Sequence, residues 1–277
     1  ARNADEVNAA VAAIQAMGVK AHGQVVDVTD SASLEAWIKA CAEALGGIDG
    51  FVANVSAGGA DNEESGWRSN FEADVLASWK AVNAVKPYLE ASDCGSIVSI
   101  GSTASLEAFA GAVPYGAMKA ALLNYFGNLA QELAPAGIRV NSVSPGPIYF
   151  KGGAWEDIRA AMPEIYEGTV ANIPAGRMGS PEEVCVQVAL LLSPLSGYTS
   201  GTNVVIDGGF TNLKLKSSAI FFLVEPIDSN GIFDGDGFLK CSLSRGIASI
   251  EIHGPQLSVG LAFVRRANGV ANPKTRL

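Results

Sequence analysis

Ser96-Ile-Val-Ser-Ile100-Gly-Ser102-Thr-Ala-Ser-Leu-Glu-Ala-Phe-Ala-Gly-Ala-Val-Pro-Tyr115-Gly-Ala-Met-Lys119 holds the residues on which the reading of this chain turns. It opens on a short apolar run of strand length. After Pro114 the period changes. Tyr115, Met118, Ala121, Leu122, Tyr125, Phe126 and Leu129 recur at helical spacing, so a helix is expected over 115–134. Tyr115 and Lys119 stand four residues apart, on one face and one turn from each other. A neighbouring ammonium favours the phenolate and would lower a tyrosine pKa from its reference near ~10. A phenol tuned in this way can exchange a proton with an alcohol or a carbonyl near neutral pH. Ser102, at the end of the strand, can hydrogen-bond the same oxygen. A Tyr-x-x-x-Lys spacing by itself also fits a solvent-facing pair on an amphipathic helix.

Working outward, helices and strands alternate. Helices are expected over 4–17, 31–45, 67–90 and 181–192, and strands over 21–26, 49–54, 138–143 and 203–206. That alternation implies an α/β fold with a parallel sheet. Asp30-Ser-Ala-Ser-Leu-Glu35 and Ser180-Pro-Glu-Glu183 carry N-terminal helix signals.

Six further segments accompany the serine, tyrosine and lysine in order. Val25-Val-Asp27-Val28-Thr-Asp30 ends a strand. Phe51-Val-Ala-Asn54-Val-Ser-Ala-Gly58 is similar to an Asn-Asn-Ala-Gly turn with Val-Ser inserted. Phe71-Glu-Ala-Asp74 lies in the long helix. Arg139-Val-Asn-Ser-Val-Ser-Pro145-Gly146-Pro-Ile148, Arg177-Met-Gly-Ser-Pro-Glu-Glu183 and Ser200-Gly-Thr-Asn-Val-Val-Ile-Asp207-Gly-Gly complete the series. Over residues 1 to about 212 the chain resembles the short-chain dehydrogenase/reductase family, in its 3-oxoacyl-carrier-protein-reductase-like branch. Ser102 stands thirteen residues before Tyr115, as in that family's pattern.

The resemblance implies a Rossmann-like doubly wound parallel sheet and an NAD(P)-dependent oxidoreductase that interconverts a secondary alcohol and a ketone. It implies Ser102, Tyr115 and Lys119 as the catalytic set. Asp74 stands where the family carries an Asn in a proton relay, and its charge would alter the tuning of Lys119 or serve only as a counter-ion. The implied cofactor contacts are Asp27 and Val28 at the adenine, Asn54, Tyr115 and Lys119, and Pro145, Gly146 and Ile148 at the nicotinamide. Arg2 stands just past the second strand's expected end, where a cation suits a 2′-phosphate. NADP is therefore favoured slightly over NAD. By resemblance the substrate pocket would be lined near Leu106, Phe109, Val113 and Tyr149–Trp155, the last a glycine-hinged lid. A homo-oligomer, dimer or tetramer, is implied as well.

The family's opening strand, glycine-rich turn and helix have no counterpart in the sequence as given. The domain expected over 1–212 therefore reads as lacking the first two strands. A truncated, cofactor-deficient homologue acting as a non-catalytic or interaction protein is the alternative function. Without those strands, 21–26 has no neighbour and the 49–54 strand has a bare edge. Residues 213–277 are read as an appended tail that either fills the gap or is unrelated. Strands are expected over 219–224 and 247–252. Gly254 and Gly260 keep the outer spacing of the family's turn, with a helix after them. Asp228–Asp236 fails calcium-loop spacing and reads as turns.

Composition agrees. The chain has 277 residues, 48% hydrophobic and 17% charged, as in an ordinary globular enzyme. A net charge of −9 argues against nucleic acid or an anionic membrane as partner. Cys41, Cys94, Cys185 and Cys241 form no CxxC pair, which suits reduced thiols in a cytoplasmic protein. His22 and His253 lie far apart, and no metal site is expected.

Overall fold

Apolar neighbours along each central strand face opposite sides of one sheet. The computed structural model describes residues 2–59, 61–108, 111–212 and the strand 261–264. Strands β1 (Gly50–Ala53), β2 (Ser96–Ile100), β3 (Arg139–Pro145) and β4 (Asn203–Ile206) are parallel, and β5 (Leu261–Val264) is antiparallel to β1. Their order is β4-β3-β2-β1-β5. Side chains alternate across a strand. Phe51, Ile97 and Val140 therefore enter one apolar layer, while Val52, Val98 and Val143 enter the other. Such runs, buried on both faces, are the mark of a parallel sheet covered by helices.

Helices α1 (Ala4–Ala16), α2 (Ser31–Leu45), α3 (Glu64–Asn70), α4 (Ala77–Glu90) and α5 (Pro114–Leu133) precede β3. α6 (Ala154–Ala161), α7 (Pro163–Ala171) and α8 (Pro181–Leu192) follow it. α2, α4 and α5 supply the larger layer, with Leu34, Ile38, Val82, Val85, Leu89, Phe126 and Leu133 buried. Burying each such side chain stabilises the fold by about 1.5–3 kcal/mol. α8 covers the other face with Val188 and Leu191. The Asp30 carboxylate caps α2 by accepting from the Ala32 N–H, and Gly46, at φ 84°, ends that helix. Pro114 opens α5, where its fixed φ suits a helix and its missing N–H costs nothing. No helix among the described residues is long and apolar enough to cross a membrane.

The fold departs from expectation in three places. Residues 21–26 form no strand, although Val26 is buried in the core. A strand needs a hydrogen-bonding neighbour, and none flanks this segment among the described residues. The long helix starts at Glu64, and its interior switches to π-helical pairing over Phe71–Leu76. The segment after Gly260 is a strand, not a helix, and β5 pairs along β1 from Leu261 opposite Ala53 to Val264 opposite Gly50. The edge expected to be bare is thus covered by the tail, in the antiparallel sense. The strands expected over 219–224 and 247–252, the Gly254–Gly260 turn, the Asp228–Asp236 stretch, Cys241, His253 and Phe109 lie outside the described residues.

Candidate active site

Three parallel strands end together, and the chain leaving each contributes to one site. This is the end of an open α/β sheet where ligands bind. Ser102 follows β2 with extended backbone. Its oxygen accepts from the Ala104 N–H at 3.1 Å, which opens a single 3-10 turn. α5 brings Tyr115 to the same place, where the Ser102 hydroxyl is near enough to act on the phenol's proton affinity. One turn on, the Lys119 ammonium lies 5.7 Å from the centre of the Tyr115 ring. It donates to the Ile100 carbonyl at 3.3 Å and stands 3.5 Å from Asp74 Oδ2. Lys119 and Asp74 are both buried, Asp74 completely. Tyr115 and Ser102 are half-buried.

Asp74 lies within the π-helical segment. Its Oδ2 accepts from Ser56 Oγ at 2.7 Å and its Oδ1 from the Ala57 N–H at 2.7 Å. The loop after β1 is thereby tied to the helix that carries Asp74. The expected lowering of the tyrosine pKa is not found. Burial pushes the Tyr115 phenol up from its ordinary value, the Ser102 hydroxyl opposes that, and the Asp74 charge adds to it. Loss of water around the phenol is the main reason, and the Asp74 carboxylate, which is also the partner of the ammonium, adds to it. Burial likewise lowers Lys119, and Asp74 opposes that by charge and hydrogen bonding. Of the two readings of Asp74, the geometry is that of a counter-ion to Lys119.

The other predicted positions fall in two groups. Asn54 follows β1 and is half-buried. Pro145 ends β3, and Gly146 follows where a Cβ would stand 2.5 Å from that of Asp207, so the turn passes too close for any other residue. Ile148 then pairs with Gly179, and the Tyr149 N–H donates to the Gly179 carbonyl at 2.9 Å. These positions border the Ser102–Tyr115–Lys119 cluster through β1, β2 and β3. Asp27, Val28 and Arg2 form the second group, at the α1–α2 end. Val28 packs on the core. The Asp27 carboxyl is held below its usual value by the Thr29 N–H and hydroxyl and, to a smaller extent, by the Arg2 charge. Arg2 and Asp27 are exposed.

Beyond Ile148, α6 and α7 form a helical pair of their own. Tyr166 packs edge-on against Tyr149 at 6.0 Å and Trp155 at 6.4 Å, and the Arg159 guanidinium lies over Tyr149 and Tyr166. Leu106 and Val113 are half-buried near the site's serine and tyrosine.

The donor set suits the nicotinamide half of a dinucleotide. The Lys119 ammonium has three donors, and Ile100 and Asp74 account for two, so one remains in keeping with a ribose hydroxyl. A glycine-rich cradle for the pyrophosphate is not among the described residues beside β1, where β5 runs. Sequence reasoning missed Ser56 and the Ile100 carbonyl. The signal for Ser56 was the Val-Ser insertion after Asn54, which sets a hydroxyl on the loop facing Asp74.

A family profile described as Enoyl-(Acyl carrier protein) reductase matches residues 1–211. The isoepoxydon dehydrogenase of Penicillium expansum is 40% identical over 191 residues, which cover 69% of this chain and 74% of that protein. The 3-oxoacyl-[acyl-carrier-protein] reductase of Vibrio cholerae is 31% identical over 198 residues, 70% of this chain and 79% of that one. Among solved structures, a short chain oxidoreductase of Pseudomonas aeruginosa, described as containing an atypical catalytic center, superposes in its apo form with TM-score 0.70 at 27% identity. The match covers 76% of this chain and 86% of that one. Its NADPH-bound form gives 0.67 at 27% identity, covering 76% and 85%.

Proposed function

Because the chain belongs to the short-chain dehydrogenase/reductase family, we propose that it is an NAD(P)-dependent oxidoreductase that interconverts a secondary alcohol and a ketone, with Tyr115 as general acid and base. The observation that carries this reading is the Lys119 ammonium, 5.7 Å from the centre of the Tyr115 ring and paired with buried Asp74, at the strand end that also carries Ser102. A substrate oxygen placed between hydroxyl and phenol would meet one orienting donor and one proton donor at once.

The dinucleotide, when bound, supplies or accepts a hydride at the substrate carbon. Ser102 orients the oxygen on that carbon. In reduction Tyr115 gives its phenolic proton to the oxygen, and in oxidation it takes the proton back. Lys119 would hold a ribose hydroxyl and lends positive charge to the phenol as its proton leaves. Asp74 fixes the ammonium from the opposite side. Asn54, Pro145, Gly146 and Ile148 would border the nicotinamide. Asp27 and Val28 would lie toward the adenine, and Arg2 would suit a 2′-phosphate, which favours NADP over NAD. The aromatic edge formed by Tyr149, Trp155 and Tyr166 favours an apolar or ring-bearing substrate over a sugar. The exposed Trp67, Phe71 and Trp79 on the α3–α4 helix, with Val186 and Leu190 on α8, support assembly into a homo-oligomer.

The test is reduction of a panel of cyclic and aromatic ketones with NADPH and with NADH. Tyr115→Phe should lower turnover by roughly 10²–10⁴-fold, the size of a lost general acid–base contribution, with dinucleotide affinity nearly unchanged. Retained turnover overturns the assignment. Failure of both dinucleotides to bind the wild-type chain favours a non-catalytic interaction protein instead.

A further inference from the structure

Asp74 is buried beside a buried ammonium, yet the ammonium is not its nearest donor. Ser56 Oγ lies 2.7 Å from Oδ2 and the Ala57 N–H 2.7 Å from Oδ1, whereas Lys119 Nζ stands 3.5 Å from that same Oδ2. The serine distance is that of a charge-assisted hydrogen bond, and the lysine distance is longer than close ion-pair contact. Oδ2 is thus shared, and the hydroxyl holds the nearer place. Ser56 is exposed, but its hydroxyl is not free to turn away. Its oxygen accepts from the Gly58 N–H at 3.2 Å, which aims its proton at the carboxylate. Gly58 reaches that position with φ +63°, a backbone conformation in which glycine is unstrained.

We propose that Ser56 is a positioning residue that holds the Asp74 carboxylate back from the Lys119 ammonium and so sets the charge felt at Tyr115. This rests on the reading of Tyr115 as the acid–base group. A carboxylate in full contact with the ammonium would cancel its field at the phenol. Asp74 engaged by Ser56 and Ala57 keeps Lys119 in place while part of the carboxylate charge is taken up elsewhere. The inserted Val55-Ser56 turn and the carboxylate at 74 compensate one another. The surroundings are otherwise uncharged among the described residues whose fields reach this pair. The end of β2 brings the Ser102 hydroxyl and the Ile100 carbonyl, the loop after β1 brings Ser56 and the Ala57 N–H, and the π-helical segment brings Asp74.

The Lys119 ammonium lies 5.7 Å from the centre of the Tyr115 ring, so the two are followed together and the quantity to measure is the pH at which the pair loses its first proton. An NMR titration of the full chain, labelled at the tyrosine ζ and lysine ε carbons, reads it without substrate or dinucleotide. Asp74→Asn removes a negative charge, so that first proton should leave at lower pH. Ser56→Ala frees Oδ2 for the ammonium, so it should leave at higher pH, by about half a unit or roughly threefold in proton affinity. Ser56→Thr keeps the donor and should titrate like the wild type. In an Asp74→Asn background, Ser56→Ala should change nothing. An unchanged midpoint in Ser56→Ala, or the same shift in both backgrounds, overturns the proposal. Turnover retained in Tyr115→Phe while these titrations behave as expected overturns the acid–base reading and leaves the electrostatic coupling standing.

Discussion

Burial and the Asp74 carboxylate together set the proton affinities of Tyr115 and Lys119, and neither of these two can be understood alone. Their proximity was legible because α5 keeps Tyr115 and Lys119 on one face and Ser102 stands a fixed distance upstream. The sign of the effect on Tyr115 was not legible. It depends on how much water burial removes and on whether the ammonium is already paired, and both depend on residues remote in sequence. Ser56 shows this most clearly, since its hydroxyl meets a carboxylate eighteen residues away. Ser102 offers a direct test at this scale. Its hydroxyl opposes the upward push that burial gives the phenol. Ser102→Ala should therefore raise the Tyr115 titration midpoint further and move the high-pH limb of ketone reduction upward, since the proton donor survives to higher pH. Turnover should also fall, by about 10²-fold for loss of one orienting donor. A midpoint that moves down, read in the same NMR titration, would refute the role given to this contact.

Helix and strand boundaries followed the sequence wherever an amphipathic stripe and a terminal signal coincide. α2 begins at the Asp30 cap and stops at Gly46, and α5 begins at Pro114. Two elements escaped that logic. Residues 21–26 have strand-like composition but no ladder, because a strand exists only through its neighbours. The long helix contains a π-helical segment that its periodicity did not announce. Such segments displace the face a helix presents by one residue and are frequent at functional sites. Here the segment carries Asp74 to the Ser56 loop and to Lys119. Removing Ala73 should restore regular pairing and rotate Asp74 away by about one residue's turn of a helix, roughly 100°. Helix content by circular dichroism should stay nearly constant, while the Lys119 resonance shifts and turnover is lost. A variant with unchanged Lys119 titration would show that the segment does not position the carboxylate.

At the scale of the molecule, β5 is the element that sequence reading placed least well. It joins the sheet from the far end of the chain and runs antiparallel along β1. A chain ending at Asn212 should lose that pairing. The β1 amides that face β5 should then exchange hydrogen faster, while those of β2 and β3 keep their protection, and the exposed edge should promote association. Unchanged exchange in β1 would mean that β5 adds nothing to the sheet in solution. The sequence by itself determined the α/β alternation, four of the five strands expected over 1–212, and the helix that carries Tyr115 and Lys119. These rest on periodicity and spacing, which are local. Only the tertiary structure decided that Asp74 is an ion-pair partner held by Ser56, that burial raises the phenol's pKa, and that the tail closes the sheet edge. Charge, desolvation and strand pairing depend on groups brought together by the fold, and no local pattern in the chain records them.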